Sequence, residues 1–429
     1  MICTFLSRHA GVYIAAFVVL LAAWAPLRAQ SDDAATAPLT LAGAVELATR
    51  SAPLLGALDA RELAANEELM RAGALPDPEL TLGIDNLTAT GNDAFAIGAD
   101  PMTMRKIGFR QRLPAAAKRE AERRMALAER DMRTAQVQAG TLNVGRASGE
   151  AWVMRWAVEH ERTLLQALLA DTQLATRAVR ARVKAGGSPG DVLAVRALEL
   201  EIENQLSDSN ARIASANASL RRWLGDHALR PLADPPVFDE VPVPEARALA
   251  LLDRSADLLV FDAHNAQADA AVAAARAQRR PDFSIAAGYG QRAASRADMI
   301  TLEFAIDLPL FTANRQDRGI AASIATRDAR HAEHEDARRA EAAAIRGDYA
   351  QWAALVEQVQ RDKRERLPLL HDRSALALAG YRSGQSLDAW IDARRDEVQA
   401  SIETTRRLQA LGSAWVGLAY RFKAQESQP

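Results

Sequence analysis

Between Ile300 and Leu308 the chain alternates strictly. Ile300, Leu302, Phe304, Ile306 and Leu308 fall on one side, and Thr301, Glu303, Ala305 and Asp307 on the other. Successive side chains of a strand point to opposite faces, so the segment predicts a strand with one apolar and one polar face. Pro309 has no N–H to give to a ladder and ends it. From about Asn314 a helical pattern takes over, with no proline before Pro368. Seventy residues of helix would be about 105 Å long. A strand feeding a rod of that length does not fit inside a compact globule.

The same arrangement stands earlier in the chain. Thr40 can cap a helix from Leu41, Pro53 interrupts it near Ser51, and a second amphipathic helix reaches about Ala74 before Leu75-Pro76-Asp77-Pro78 breaks it. Residues 79–87 alternate, with Leu80, Leu82 and Ile84 against Thr81, Gly83 and Asp85. Residues 88–101 read as a loop and 102–113 as a second strand, with Ile107 and Phe109 opposite Lys106, Gly108 and Arg110. A helical tract then runs to Lys184, Gly186-Gly187-Ser188-Pro189-Gly190 turns the chain, and a return helix runs from Asp191 to about Trp223.

After a proline-rich linker, 231–244, everything recurs. Arg50-Ser51-Ala52 returns as Arg254-Ser255-Ala256, Pro76-Asp77 as Pro281-Asp282, and Lys184-Ala185-Gly186 as Arg382-Ser383-Gly384. The offset stays at about 200 residues, the mark of an internal repeat. Residues 30–230 and 245–429 are therefore two copies of one unit: helix, two strands, long helix, tip and return helix. The second copy has strands 282–290 and 299–308. The tips are 184–191 and 380–388.

Composition fits long helices. Aromatic residues are only 5% of the chain while hydrophobic residues are 49%, and the excess is alanine, which favours helices at close approach. A net charge of −2 gives no reason to expect a nucleic-acid partner. Residues 1–29 have the layout of a secretory signal peptide: Arg8 before an apolar run from Val12 to Trp24, then Leu27-Arg28-Ala29. The one cysteine, Cys3, lies inside it, so the mature chain is expected to have no disulfide and no cysteine chemistry. No nucleophile elbow, phosphate-binding glycine loop or metal-ligand triad is present, so neither an enzyme nor a cofactor is expected.

Four strands with one apolar face suit a lipid-facing barrel wall, but the smallest closed membrane barrels need about eight. Open strand edges cannot sit in lipid, because their N–H and C=O groups would go unpaired. The strands must therefore close between chains, and so must the long helices, as a symmetric oligomer. The rival reading from another class is a soluble coiled-coil scaffold.

In order, duplicated and at these spacings, several short segments resemble the TolC family of outer-membrane efflux factors. They are Leu39-Thr40-Leu41 with Ala44 and Leu47, Leu75-Pro76-Asp77-Pro78, Leu308-Pro309-Leu310-Phe311, and Tyr381-Arg382-Ser383-Gly384 followed by Leu387 and Asp392-Ala393. The resemblance covers nearly all the mature sequence. It implies a mainly α fold with a small β part, in which three chains join their strands into one outer-membrane barrel and their helical hairpins into a periplasmic tunnel. It also implies a passive exit duct in the outer membrane of a Gram-negative bacterium, docked through a periplasmic adaptor onto an inner-membrane pump. Asp100-Pro101-Met102-Thr103-Met104, with Gln111, Pro114 and Lys118-Arg119, is similar to members that serve heavy-metal resistance pumps of the resistance-nodulation-division type. That implies cations such as copper or cobalt, zinc and cadmium as cargo; small organic molecules are the alternative.

The candidate sites follow from the tips. Gly186 and Gly384 permit tight reversals, and Arg182, Lys184 and Ser188, with Arg382 and Ser386, put donors around each turn. By resemblance these turns meet the adaptor; the plain alternative is a solvated helix turn. Asp388 and Asp392 lie one helical turn apart past the second tip, and by resemblance Asp392 falls in the segment that lines the aperture. A ring of three carboxylates would attract cations. The alternative is a solvated face on which Arg394 and Arg395 pair the acids. His331 and His334 share a helix face and could hold a metal ion, although a wet face crowded by arginines is the stronger reading.

Overall fold

The structure is a computed structural model that describes residues 37–292 and 296–422. The signal-peptide segment 1–29 and Cys3 lie outside the described residues. Thr40 caps the first helix, α1 (Leu41–Ser51), by accepting a hydrogen bond from the Gly43 N–H at 3.0 Å. Pro53 sits in the first turn of α2 (Pro53–Arg71), where its missing N–H costs nothing. The helix stops three residues earlier than the sequence suggests, and Gly73 turns the chain at φ +68. A Cβ there would come within 2.6 Å of the Arg119 carbonyl, so the position takes only glycine.

Strands β1 (Glu79–Asp85) and β2 (Met104–Leu113) follow, then the 69-residue α3 (Ala116–Lys184) and its return α4 (Pro189–Leu224). The linker is packed rather than loose. Leu39 pairs with Leu232, Phe238 is buried, and the Trp352 and Trp415 indoles donate to the carbonyls of Phe238 and Glu240. A short helix, α5 (Glu245–Ala250), and α6 (Phe261–Ala277) lead into β3 (Asp282–Gln291) and β4 (Met299–Asp307). The second long tract is α7 (Gln316–Arg361), a π-helical turn (Asp362–Arg366) and α8 (Leu367–Arg382), with α9 (Asp388–Ala419) returning from its tip.

Pro368 does not end the tract. A proline ring clashes with the carbonyl four residues back, here that of Arg364, and withdraws one hydrogen bond. The extra residue of a π turn at 362–366 accommodates both. Buried Asp362 fastens the turn to α9, accepting from Thr404 at 3.2 Å and from Arg407.

Side chains divide between two main cores. One surrounds Trp152, where α1, α3, α9 and the linker meet; the other surrounds Tyr381 and Trp390 near the tips. The four strands form one antiparallel sheet in the order β1-β2-β3-β4, which leaves β1 and β4 as unpaired edges. Among the described residues no helix is long and apolar enough to cross a membrane, which says nothing of a barrel.

Candidate functional site

The register of the sheet sorts its two faces. Residues paired across strands share a face. Leu82 pairs with Ile107, Ile107 with Tyr289, and Tyr289 with Ile300. Leu80, Phe109, Ala287 and Leu302 form the next row, and Ile285 and Phe304 sit opposite each other beyond it. This face is apolar across these rows and uncovered, with Phe304 74% exposed and Ile300 77%; its polar members are Gln111 opposite Ile285, and Arg105 between Ile84 and Gln291 in the end row. The other face carries Glu79, Asp85, Lys106, Arg110, Arg112, Glu303 and Asp307. Its charges pair across strands, Lys106 with Asp85 at 3.1 Å, Arg112 with Glu79 at 2.8 Å and Arg110 with Glu303 at 3.8 Å. Such exposed pairs are worth little in stability, but they keep that face wet and close to neutral.

At the far end of the helices the two tips lie side by side. Gly186 and Gly384 hold φ at +105 and +116, as the reversals require. Lys184, Gly186, Ser188, Arg382, Gly384 and Ser386 are all exposed. Arg182 is not. Its guanidinium lies 4.3 Å from the centre of the Tyr381 ring and donates to the Tyr381 carbonyl on the other hairpin. Tyr381 is buried, and its hydroxyl donates to Asp191 at 3.0 Å, in the first turn of α4. Burial and the Asp191 acceptor push the Tyr381 phenol above its ordinary range, so it stays a donor. One tyrosine thus ties both arms of the first hairpin to the second.

Asp388 and Asp392 point away from the core that holds Trp390 and Ile391, and both are exposed. Asp388 accepts from the Ser386 hydroxyl at 2.9 Å. Asp392 has no hydrogen-bond or ion-pair partner among the described residues. Neither nearby arginine compensates them. Arg394 is buried against Glu397 at 2.7 Å and reaches the Leu168 carbonyl, while Arg395 pairs with Glu201 at 3.0 Å. His331 and His334 do not act together. His331 is exposed, whereas His334 stacks on Phe261 at 5.2 Å and bonds Asn265 at 2.9 Å, both from α6. No group of three or more metal-ligating side chains occurs among the described residues.

Sequence reasoning placed Tyr381 within a motif and missed its role, and it passed over Asp191. Their separation of 190 positions leaves no local signal.

No protein-family model matches the chain, and no curated protein sequence matches it. Solved structures do. A structure of CusC, concerned with folding and transmembrane channel formation, is 17% identical with a TM-score of 0.72, covering 90% of this chain and 93% of that one. The Campylobacter jejuni CmeC outer membrane channel is 11% identical, TM-score 0.72, covering 90% and 87%. The Vibrio cholerae outer membrane protein VceC is 18% identical, TM-score 0.68, covering 90% and 97%. Over nine-tenths of its length this chain therefore has the fold that these three proteins share: long helical hairpins below a four-stranded contribution to a sheet.

Proposed function

We propose that three copies of this chain form an outer-membrane exit duct of the TolC kind, continuous with a periplasmic helical tunnel. The observation that carries this reading is the sheet. Its apolar face is large, contiguous and uncovered, its other face is charged, and both of its edges lack partners. Water does not tolerate such a surface and lipid does not tolerate such edges. Closure of β4 on β1 of the next copy satisfies both, and three chains give twelve strands, within the range of membrane barrels. The likeness to outer-membrane channels supports the same reading. As a passive conduit the duct carries out no chemistry and needs no cofactor.

The hairpin ends are the proposed adaptor-docking surface, through Lys184, Gly186, Ser188, Arg382, Gly384 and Ser386, with an inner-membrane pump beyond the adaptor. Arg182 serves instead to hold the two hairpins together with Tyr381 and Asp191, which suits a closed resting end. Asp388 and Asp392 are the proposed aperture ring. For cargo we propose heavy-metal cations. That rests on the 100–104 segment, where Met102 is 58% exposed and its N–H is held by Asp100 at 2.7 Å.

Mass measurement in mild detergent tests the assembly, with three chains expected. Conductance across a planar bilayer is expected from the same sample. A protein that stays soluble and monomeric after lysis would return it to the coiled-coil scaffold. Loss of the gene is expected to sensitise the cell to copper or cobalt; sensitivity to organic dyes alone would replace the cargo.

A further inference from the structure

A cavity of about 390 Å³ lies where the linker crosses the π turn. Its walls are apolar and flat: Trp156 from α3, with Pro235, Pro236 and Phe238 from the linker. The Trp156 and Phe238 rings meet edge to face at 6.1 Å. The mouth carries Lys363 and Arg364. A pocket of this size, mostly apolar with a few convergent polar groups, is the usual form of a small-molecule site.

The π turn explains why two cations stand there. Of its residues, Asp362 and Arg366 are spent on α9, the first with Thr404 and Arg407 and the second with Glu403 at 2.8 Å. Lys363 and Arg364 are left exposed at the cavity and have no ion-pair partner among the described residues. Asp239 also lines the cavity, and it pairs with neither. The Lys363 charge is felt on this wall. Partial desolvation, and then the Lys363 charge, hold the His160 imidazole below its ordinary range where it stacks on Trp156 at 5.7 Å. His160 therefore adds no charge of its own at neutral pH.

We propose that this cavity binds a planar aromatic carboxylate, its ring against Trp156 and Phe238 and its carboxylate on Lys363 and Arg364. Aromatic walls favour a ring in offset or edge contact, and a guanidinium takes a carboxylate by two parallel bonds. The site is built from residues of one chain, and the proposal requires that the assembled duct leave it open.

The test uses the full assembled protein in amphipol, titrated calorimetrically at low salt with 1-naphthoate and with its neutral relative 1-naphthamide. Saturable binding of naphthoate, about one per chain, is expected, with the amide at least tenfold weaker. The double variant Lys363→Gln/Arg364→Gln removes no bonded partner and is expected to keep the assembly mass and helical content. It should weaken naphthoate at least tenfold and leave the amide unchanged. Equal binding of acid and amide, undiminished naphthoate binding in the variant, or no saturable binding because a neighbouring copy fills the cavity would each overturn the proposal. None of these outcomes bears on conductance, which tests the duct separately.

Discussion

The sheet and the helical hairpins obey opposite rules. Along the hairpins the central tryptophans are hidden, Trp152 at 0% exposed and Trp390 at 2%, although single leucines such as Leu193 and Leu376 stand out at 73%. In the sheet the large side chains stand outside, with Phe304 at 74% and Leu302 at 69%. Both regions have apolar and polar faces; what differs is whether the chain itself covers the apolar one. The hairpins bury most of their aromatic and apolar side chains against one another in two cores. The sheet has nothing of its own to cover its apolar face, and the charges it does pair lie on the opposite side.

Substitutions can break or sharpen that contrast. The largest effect is expected at Trp152, whose ring fills the first core and whose Nε1–H donates to the Leu39 carbonyl at 2.9 Å. Trp152→Ala should cost about 3–5 kcal/mol, read as a fall in the melting point of the purified assembly. A mild effect would mean that the hairpins do not depend on a water-excluding core.

In the sheet, a charge on the outer face should be the costly change. Phe304→Arg is expected to cost about 2–4 kcal/mol if it lies near mid-membrane, measured as the fraction of chains assembled in the outer membrane. Glu303→Arg, one residue away on the other face, replaces the exposed pair with Arg110 by an exposed like-charge contact, a small change where both side chains are solvated, and should still assemble. Equal losses from the two would dissolve the distinction between the faces.

A smaller effect is expected at the hairpin ends. Tyr381→Phe keeps the ring under Arg182 and deletes the hydroxyl that Asp191 accepts. About 0.5–1.5 kcal/mol of hold between the hairpins should go, and single-channel records should show a higher open probability. Records matching wild type would make the contact mere packing.

Smallest in stability, but visible in selectivity, is the pair Asp388 and Asp392. Asp392→Ala, alone and with Asp388→Ala, should leave assembly intact and shift the reversal potential in a salt gradient away from cation preference. Unchanged potentials would make these aspartates an ordinary solvated face.

Much of the β part was legible in the chain. Alternation from Ile300 to Leu308 is local, because each side chain's face is set by its neighbour's, and the strand ends fell within two residues of expectation. The tips were legible for the same reason: Gly186 and Gly384 mark reversals wherever helices must turn tightly. The tract running past Pro368 to the second tip was legible too, but not the π turn that accommodates the proline, because Asp362 is anchored to α9 by residues some forty positions away. The site was only partly legible. Arg182 looked like a free surface donor, and only the approach of the second hairpin brings Tyr381 beneath it.

What the sequence determined by itself is what depends on near neighbours: strand and helix periods and turn positions. Only the tertiary structure decided which faces meet. The pairing of β2 with β3 and the Arg182–Tyr381–Asp191 tie join residues far apart in the chain, and the free energy of such a contact exists only once folding has brought its partners together.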